Sequence, residues 1–410
     1  MKKKRFANGL RLVMERRRHS DTVSISLAVR CGSVYENKDE SGIAHFLEHM
    51  ILRGTKNKNY EDIMNSFQSF GGYINARTQK TYTIFSISIL KNFLEEAINI
   101  LSEIIFNPSC RESDIEKEKN VIMEEIHQQL NDQIFIMREE LFEQIVNRGN
   151  KLSMPILGNE KVIRKMTKNR LANFHKLHYS PDNIAISIVG NIDYRTTQSI
   201  VNNYFGTIKR SDNPPQTFKF NIKKLPRKIS KTIKKIGISQ SHLIIGGRAP
   251  LFFEKDRYAM EPLITILGNS MNSRIVIRLI NKMGIAYSVG SYYNEKLGYY
   301  YSYISTTPKN VKRAFDAILE EIDKLVKNGV HRNELEIAKN YIKGLNAIQQ
   351  ESNRICAEKY ATAELFTSAD EVIGFNKKIN QIKMLDINRV IEKYLKKNNI
   401  ILKLEPDNHD

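Results

Sequence analysis

The chain has 410 residues, enough for two or three domains, and its 41% hydrophobic and 27% charged content fits a protein with a full apolar core. Lys and Arg number 64 against 45 Asp and Glu, a formal net charge of +19, but the lysines are spread along the whole chain beside acidic residues and Asn. No arginine-aromatic interleaving and no nucleic-acid motif accompanies that charge, so a nucleic-acid partner is set aside.

The N-terminal run MKKKRF is basic, but no apolar segment follows it, and ordered structure is expected to start by Asn8. No secretory signal is expected from this pattern, and no stretch approaches the about 18 apolar residues of a membrane span. Cys31, Cys110 and Cys356 are odd in number and far apart, which argues against a disulfide frame or a cysteine zinc site. A reducing, cytoplasmic location without a membrane partner is expected.

In chain order, NGLRLVMER and TVSISLAVRCGS read as strands, and SGIAHFLEHMIL and YEDIMNSFQSF as helices. YINARTQKTYTIFSISIL reads as two strands about a polar turn. NFLEEAINILSEIIF and ESDIEKEKNVIMEEIHQQL carry apolar residues at helical spacing, and NIAISIVGNI reads as a further strand. The expected fold class is α+β, each domain a mostly antiparallel sheet packed with helices. A Pro- and Lys-rich stretch over 211–233 reads as an exposed linker, dividing a first domain (1–210) from a second (234–410).

The second half repeats the first in weakened form. SDIEKEKNVIMEEIHQQL and NELEIAKNYIKGLNAIQQ align at an offset of 220, Asn120 onto Asn340. The hairpin pattern and the helix before that segment also recur. In the copy, Ala338 stands at the position of Glu118 and Leu345 at that of Glu125, and the segment before them has no histidine pair. A duplicate that lost its polar cluster assigns the cluster in the first copy a task beyond folding.

That cluster begins in GIAHFLEHMILRGT, residues 42 to 55. On a helix His45 and His49, four residues apart, share a face and can reach one ion. Glu48 stands beside them, placed to take a proton from a water at the metal. The order HFLEH is the inverted form of the HExxH zinc-protease motif. A catalytic zinc site wants three protein ligands and an open position. Glu118 and Glu125, nearly two turns apart, share a helix face with Val121 and Ile122, which is expected to point inward. Glu125 is taken as the third ligand and Glu118 as its companion, holding a ligand histidine or ordering the helix. Glu124 and His127 are expected on the exposed side. His175, His178 and His242 read as surface or packing residues, and the cysteines as small buried hydrophobes.

With these residues in view, the chain resembles the pitrilysin family of zinc metallopeptidases, which includes insulin-degrading enzyme and the mitochondrial processing peptidase. GSVYENKDESGIAHFLEHMILRGT, FGGYINARTQKTYTIF and EKNVIMEEI carry the likeness, which extends over nearly the whole chain. The resemblance implies one Zn²⁺ held by His45, His49 and Glu125, with Glu118 as companion and Glu48 as general base. It also implies endopeptidase activity on peptides or unfolded segments enclosed in a clamshell of two halves. This chain corresponds to one half, so a homodimer or a heterodimer with a paralogous subunit is expected. Asn75 and Ala76 would pair with an extended substrate, although Asn75 reads equally as a turn residue. Active members usually carry an Arg and a Tyr seven residues apart. Here INKMGIAYS supplies Tyr287, an oxyanion donor by resemblance, but Ile280 stands at the Arg position. Arg278 lies two residues earlier on another helical face. The alternative expectation is therefore a catalytically weak or partner-dependent subunit.

Overall fold

A computed structural model describes residues 1–212, 217–220, 228–397 and 400–407. The chain divides into two units that cross its linear order. The first comprises Met1–Gln128, Met154–Phe220 and Ile348–Ile373, and the second Gln129–Ser153, Asn221–Ala347 and Gly374–Asp410. Residues 213–216 and 221–227 of the stretch expected as a linker lie outside the described residues, and its last residues open a strand.

In the first unit, β1 (Lys2–Arg5), β2 (Arg11–Arg16), β3 (Thr22–Val29), β4 (Tyr73–Thr78), β5 (Thr83–Leu90) and β6 (Ile184–Gly190) form one sheet, in the order β1-β2-β6-β3-β5-β4. β2 and β6 are parallel and the other pairs antiparallel. β1 lies in the basic run that the sequence reading left unordered. Its side chains are all exposed, so no apolar alternation marks it, and its pairing with β2 is what orders it. α1 (Ile43–Arg53), α2 (Tyr60–Ser69), α3 (Leu94–Phe106) and α4 (Glu112–Gln129) follow the expected helical patterns. Val23, Ile25, Leu27, Phe85 and Ile87 meet Phe46, Leu47, Met50, Leu101 and Ile122 in the main core. The opposite sheet face is covered by the helix Asn353–Phe366, whose Ala361 and Leu365 join Ala28 and Ile84, while Tyr360 joins Val13 and Val189.

The second unit has the sheet order β7-β11-β8-β10-β9, from β7 (Ile229–Lys235), β8 (Ser241–Arg248), β9 (Ala286–Asn294), β10 (Tyr299–Thr306) and β11 (Ile400–Pro406). β7 and β11 are parallel, as β2 and β6 are, and the remaining pairs are antiparallel. Without β1, the first sheet has the same connectivity. The duplication read from the sequence is thus present as topology, with the hairpins β4–β5 and β9–β10 and the helices α4 and Arg332–Gln350 in equivalent roles. β7 carries ISKTIKK with mostly exposed side chains, which is why its first residues read as linker. Among the described residues no helix is long and apolar enough to cross a membrane.

Candidate metal centre

α1 starts where Gly42 adopts φ +92°, a conformation that favours glycine, and a Cβ there would lie 2.7 Å from the Leu157 carbonyl oxygen. The buried Glu36 carboxylate accepts the backbone N–H groups of Gly42 at 2.8 Å and Ala44 at 3.0 Å. Two otherwise unpaired donors at the helix start are satisfied, while burial pushes the Glu36 carboxyl up to about 8 against the opposing effect of these two N–H groups. From this anchored start, Ile43, Phe46, Leu47, Met50 and Ile51 pack into the core. His45, His49 and Arg53 fall on one line at four-residue spacing.

The two Nε2 atoms of His45 and His49 are 3.2 Å apart. The Glu125 Oε2 lies 3.6 Å from the first and 3.8 Å from the second. A tetrahedral zinc with bonds of about 2.0–2.1 Å sets neighbouring ligand atoms about 3.4 Å apart, so two nitrogens and one oxygen stand close to the spacing that ion requires. Among the described residues, this trio is the group of His, Cys, Asp and Glu side chains able to hold a metal ion.

Glu118, buried on α4, accepts from His49 Nδ1 at 2.8 Å and pairs with the Arg53 guanidinium. A proton on Nδ1 leaves the Nε2 lone pair of a neutral His49 directed at the trio. Burial disfavours the His49 imidazolium, but Glu118, Glu48 and Glu125 outweigh it and hold its pKa above the ordinary value. His45 is pushed the other way, down to about 3, by burial and by His49. Burial pushes the Glu118 carboxyl up, while His49 and Arg53 bring it below its usual range. These groups fit a divalent cation: three donors converge, one imidazole is held neutral, and the other is oriented by a carboxylate.

Glu48 is buried, and its Oε2 accepts the Thr78 hydroxyl at 2.6 Å. Burial raises its pKa against the opposing effect of Thr78. Asn75 and Ala76 lie within β4, the end strand of its sheet, opposite Ser86 and Phe85, so Asn75 is a strand residue rather than a turn residue. Its side-chain oxygen accepts the Ala76 N–H at 3.0 Å.

The expected inward face of α4 needs one correction. Glu118 and Ile122 are buried and Glu125 half-buried, but Val121 is 44% exposed, because it lies at the margin of the arc centred on the other three. Glu124 and His127 are exposed as expected, with His127 against Glu160 at 3.0 Å. His175 meets the Ile105 carbonyl oxygen at 2.7 Å, and the buried His242 meets the Tyr303 hydroxyl at 2.7 Å, packing roles in both cases. The three cysteines are free and buried.

Tyr287 belongs to the second unit, on the end strand β9, and is 67% exposed. Ile280 is half-buried, and Arg278 is engaged by Glu320 and by Glu321, the latter at 2.8 Å. In the copy of α4, Ala338 is buried and Leu345 is 41% exposed, so the face equivalent to that of Glu118 and Glu125 has become apolar.

Residues 11–160 match the family model described as insulinase, peptidase family M16, and residues 165–342 match the peptidase M16 inactive domain. An uncharacterized zinc protease of Rickettsia felis is 31% identical over 395 residues, covering 93% of this chain and 92% of the relative. The uncharacterized zinc protease YmxG of Bacillus subtilis is 29% identical over 389 residues, with coverages of 93% and 92%. Among solved structures, a protease from Helicobacter pylori superposes with a TM-score of 0.92 at 22% identity, over 99% of both chains. The periplasmic protease PqqL from Escherichia coli superposes with a TM-score of 0.80 at 19% identity, over 100% of this chain and 47% of its own.

Proposed function

This chain belongs to peptidase family M16, the pitrilysin-like zinc peptidases, and on that premise we propose that it is a zinc-dependent endopeptidase acting on peptides or unfolded protein segments. The observation that carries the reading is the convergence of His45 Nε2, His49 Nε2 and Glu125 Oε2 within 4.8 Å of one another, beside a buried carboxylate on the same helix. His45, His49 and Glu125 would hold the ion, which supplies Lewis acidity toward the scissile carbonyl and an acidified water.

Glu48 removes a proton from the attacking water and delivers it to the leaving amine nitrogen. Its buried position favours the neutral form it needs for the second step. Glu118 keeps His49 in the tautomer that directs Nε2 at the ion. An extended peptide adds to the outer edge of β4 at Asn75 and Ala76, with the Asn75 side chain releasing the Ala76 N–H for the substrate carbonyl. Tyr287 is the residue proposed to donate to the oxyanion. The enzyme works as one half of a dimeric chamber in the cytoplasm.

The second reading, a subunit that depends on a paralogous partner, is favoured by one observation. Ile280 replaces the expected Arg, and Arg278 is held by Glu320 and Glu321. The deciding experiment replaces Glu48 by Gln and follows zinc content and hydrolysis of a quenched peptide pool. The chain should keep one zinc and lose cleavage. Cleavage retained by Glu48→Gln refutes the base assignment, and zinc without cleavage in the wild type selects the partner-dependent reading.

A further inference from the structure

Behind Glu48, buried oxygens form a short chain. The Thr83 hydroxyl donates to the Cys31 carbonyl oxygen at 2.9 Å and lies 3.2 Å from the Thr78 hydroxyl, which contacts Glu48 Oε2 at 2.6 Å. Thr83, Thr78 and Glu48 are 0%, 5% and 8% exposed, so no bulk water competes for these contacts.

Each hydroxyl has one proton to donate. A carbonyl oxygen only accepts, so in the Thr83–Cys31 contact the proton is that of Thr83. The proton left in the pair belongs to Thr78, which has two acceptors in reach. The Glu48 oxygen is the nearer of the two, at 2.6 Å against 3.2 Å. The Thr78 proton is therefore on Glu48 Oε2.

We propose that Thr78 is the positioning residue of the general base: it holds Oε2 as an acceptor and leaves Oε1 as the oxygen that takes the proton from the attacking water. This rests on the peptidase reading above. One O–H bond of the water breaks and an O–H bond forms on Oε1, while the hydroxide oxygen bonds to the scissile carbonyl carbon and the C=O π pair moves onto the carbonyl oxygen. That pair re-forms the carbonyl as the C–N bond breaks and the Oε1 proton passes to the amine nitrogen, restoring the Glu48 carboxylate. Thr78 keeps its own proton throughout. As the last residue of β4, Thr78 also ties the base to the strand proposed to receive substrate.

Three variants test this: Thr78→Val, Thr78→Ser and Thr83→Val. Removing the orienting hydroxyl should lower kcat by about 10–100-fold with KM and zinc content unchanged, while Thr78→Ser stays within about threefold of wild type. Thr83→Val should lose stability but keep kcat, since the Thr78–Glu48 bond does not need the Thr83 proton. Crystal structures without added metal should show Glu48 in one position in the wild type and rotated or spread in Thr78→Val. A Thr78→Val enzyme with wild-type kcat, equal kcat losses in Thr78→Val and Thr83→Val, or an undisturbed Glu48 in the Thr78→Val crystal would overturn the proposal. A wild-type chain without chelator-sensitive turnover refutes the peptidase reading instead, and the crystal comparison still decides the role of Thr78.

Discussion

Replacing Glu118 by Gln isolates what its charge does for the metal site. The carboxylate is 1% exposed at the side chain, accepts from His49 Nδ1 at 2.8 Å and pairs with Arg53. The substituted amide would still offer a carbonyl oxygen to Nδ1–H, but without charge, and Arg53 loses its ion pair while keeping its place over the Tyr60 ring. Losing a carboxylate that orients a ligand histidine weakens metal binding by about 10–100-fold. The expected loss for Glu118→Gln is near the lower end, about tenfold or about 1.4 kcal/mol, because the hydrogen bond survives in neutral form. Glu118→Ala removes both contacts and should approach the upper end. Stability should also fall by about 1–3 kcal/mol, the cost of leaving a buried polar group unsatisfied. The Arg53 share of that cost is small, since its side chain is 32% exposed and solvent takes over. Competition against a chromophoric chelator at neutral pH reads the affinity, and urea unfolding of the metal-free protein reads the stability. Zinc binding within about twofold of wild type in both variants would refute the reasoning, since no orienting role could then be assigned to Glu118.

Three further outcomes are expected. Glu125→Ala should lower zinc affinity by more than Glu118→Ala, as measured in the same competition assay, because it removes a ligand rather than a support for one. Zinc affinity should fall as pH falls through the His49 pKa. That pKa is held above the ordinary histidine value, while His45, held near 3, is already deprotonated there. Binding must displace the His49 proton, so the affinity should drop about tenfold per pH unit below that pKa. A titration showing loss of two protons per zinc between pH 5 and 7 would contradict this. Glu36→Ala should destabilise the metal-free chain by about 1–2 kcal/mol, the cost of losing a helix cap, and urea unfolding will show it.

The convergence of the candidate trio was legible in the sequence because helical periodicity alone aligns His45 with His49 and sets Glu118, Ile122 and Glu125 on one arc. The duplication added the negative image, with Ala338 and Leu345 where the carboxylates should be. Arg53 was equally available, eight residues after His45 on the same line, but it reads as a basic residue closing a helix. Thr78 and Glu36 carry no such signal. Thr78 meets Glu48 across thirty residues, through a strand packed on a helix, and Glu36 meets Gly42 and Ala44 through a loop. Their partners are set by tertiary packing rather than by period. β1 and β7 escaped for a related reason: both are polar end strands, ordered by backbone pairing with β2 and β11 instead of by an apolar face. The helix Asn353–Phe366 reads as part of the second half, yet its apolar residues fill the open face of the first sheet. Local pattern contains no record of that crossing.

The central claim is that His45, His49 and Glu125 hold zinc. Crystals of the zinc-loaded chain, measured on both sides of the zinc absorption edge, test it most directly. One anomalous peak is predicted per chain, within bonding distance of His45 Nε2, His49 Nε2 and the Glu125 carboxylate. A peak on any other set of side chains, or none at these three in the presence of excess zinc, would contradict the account.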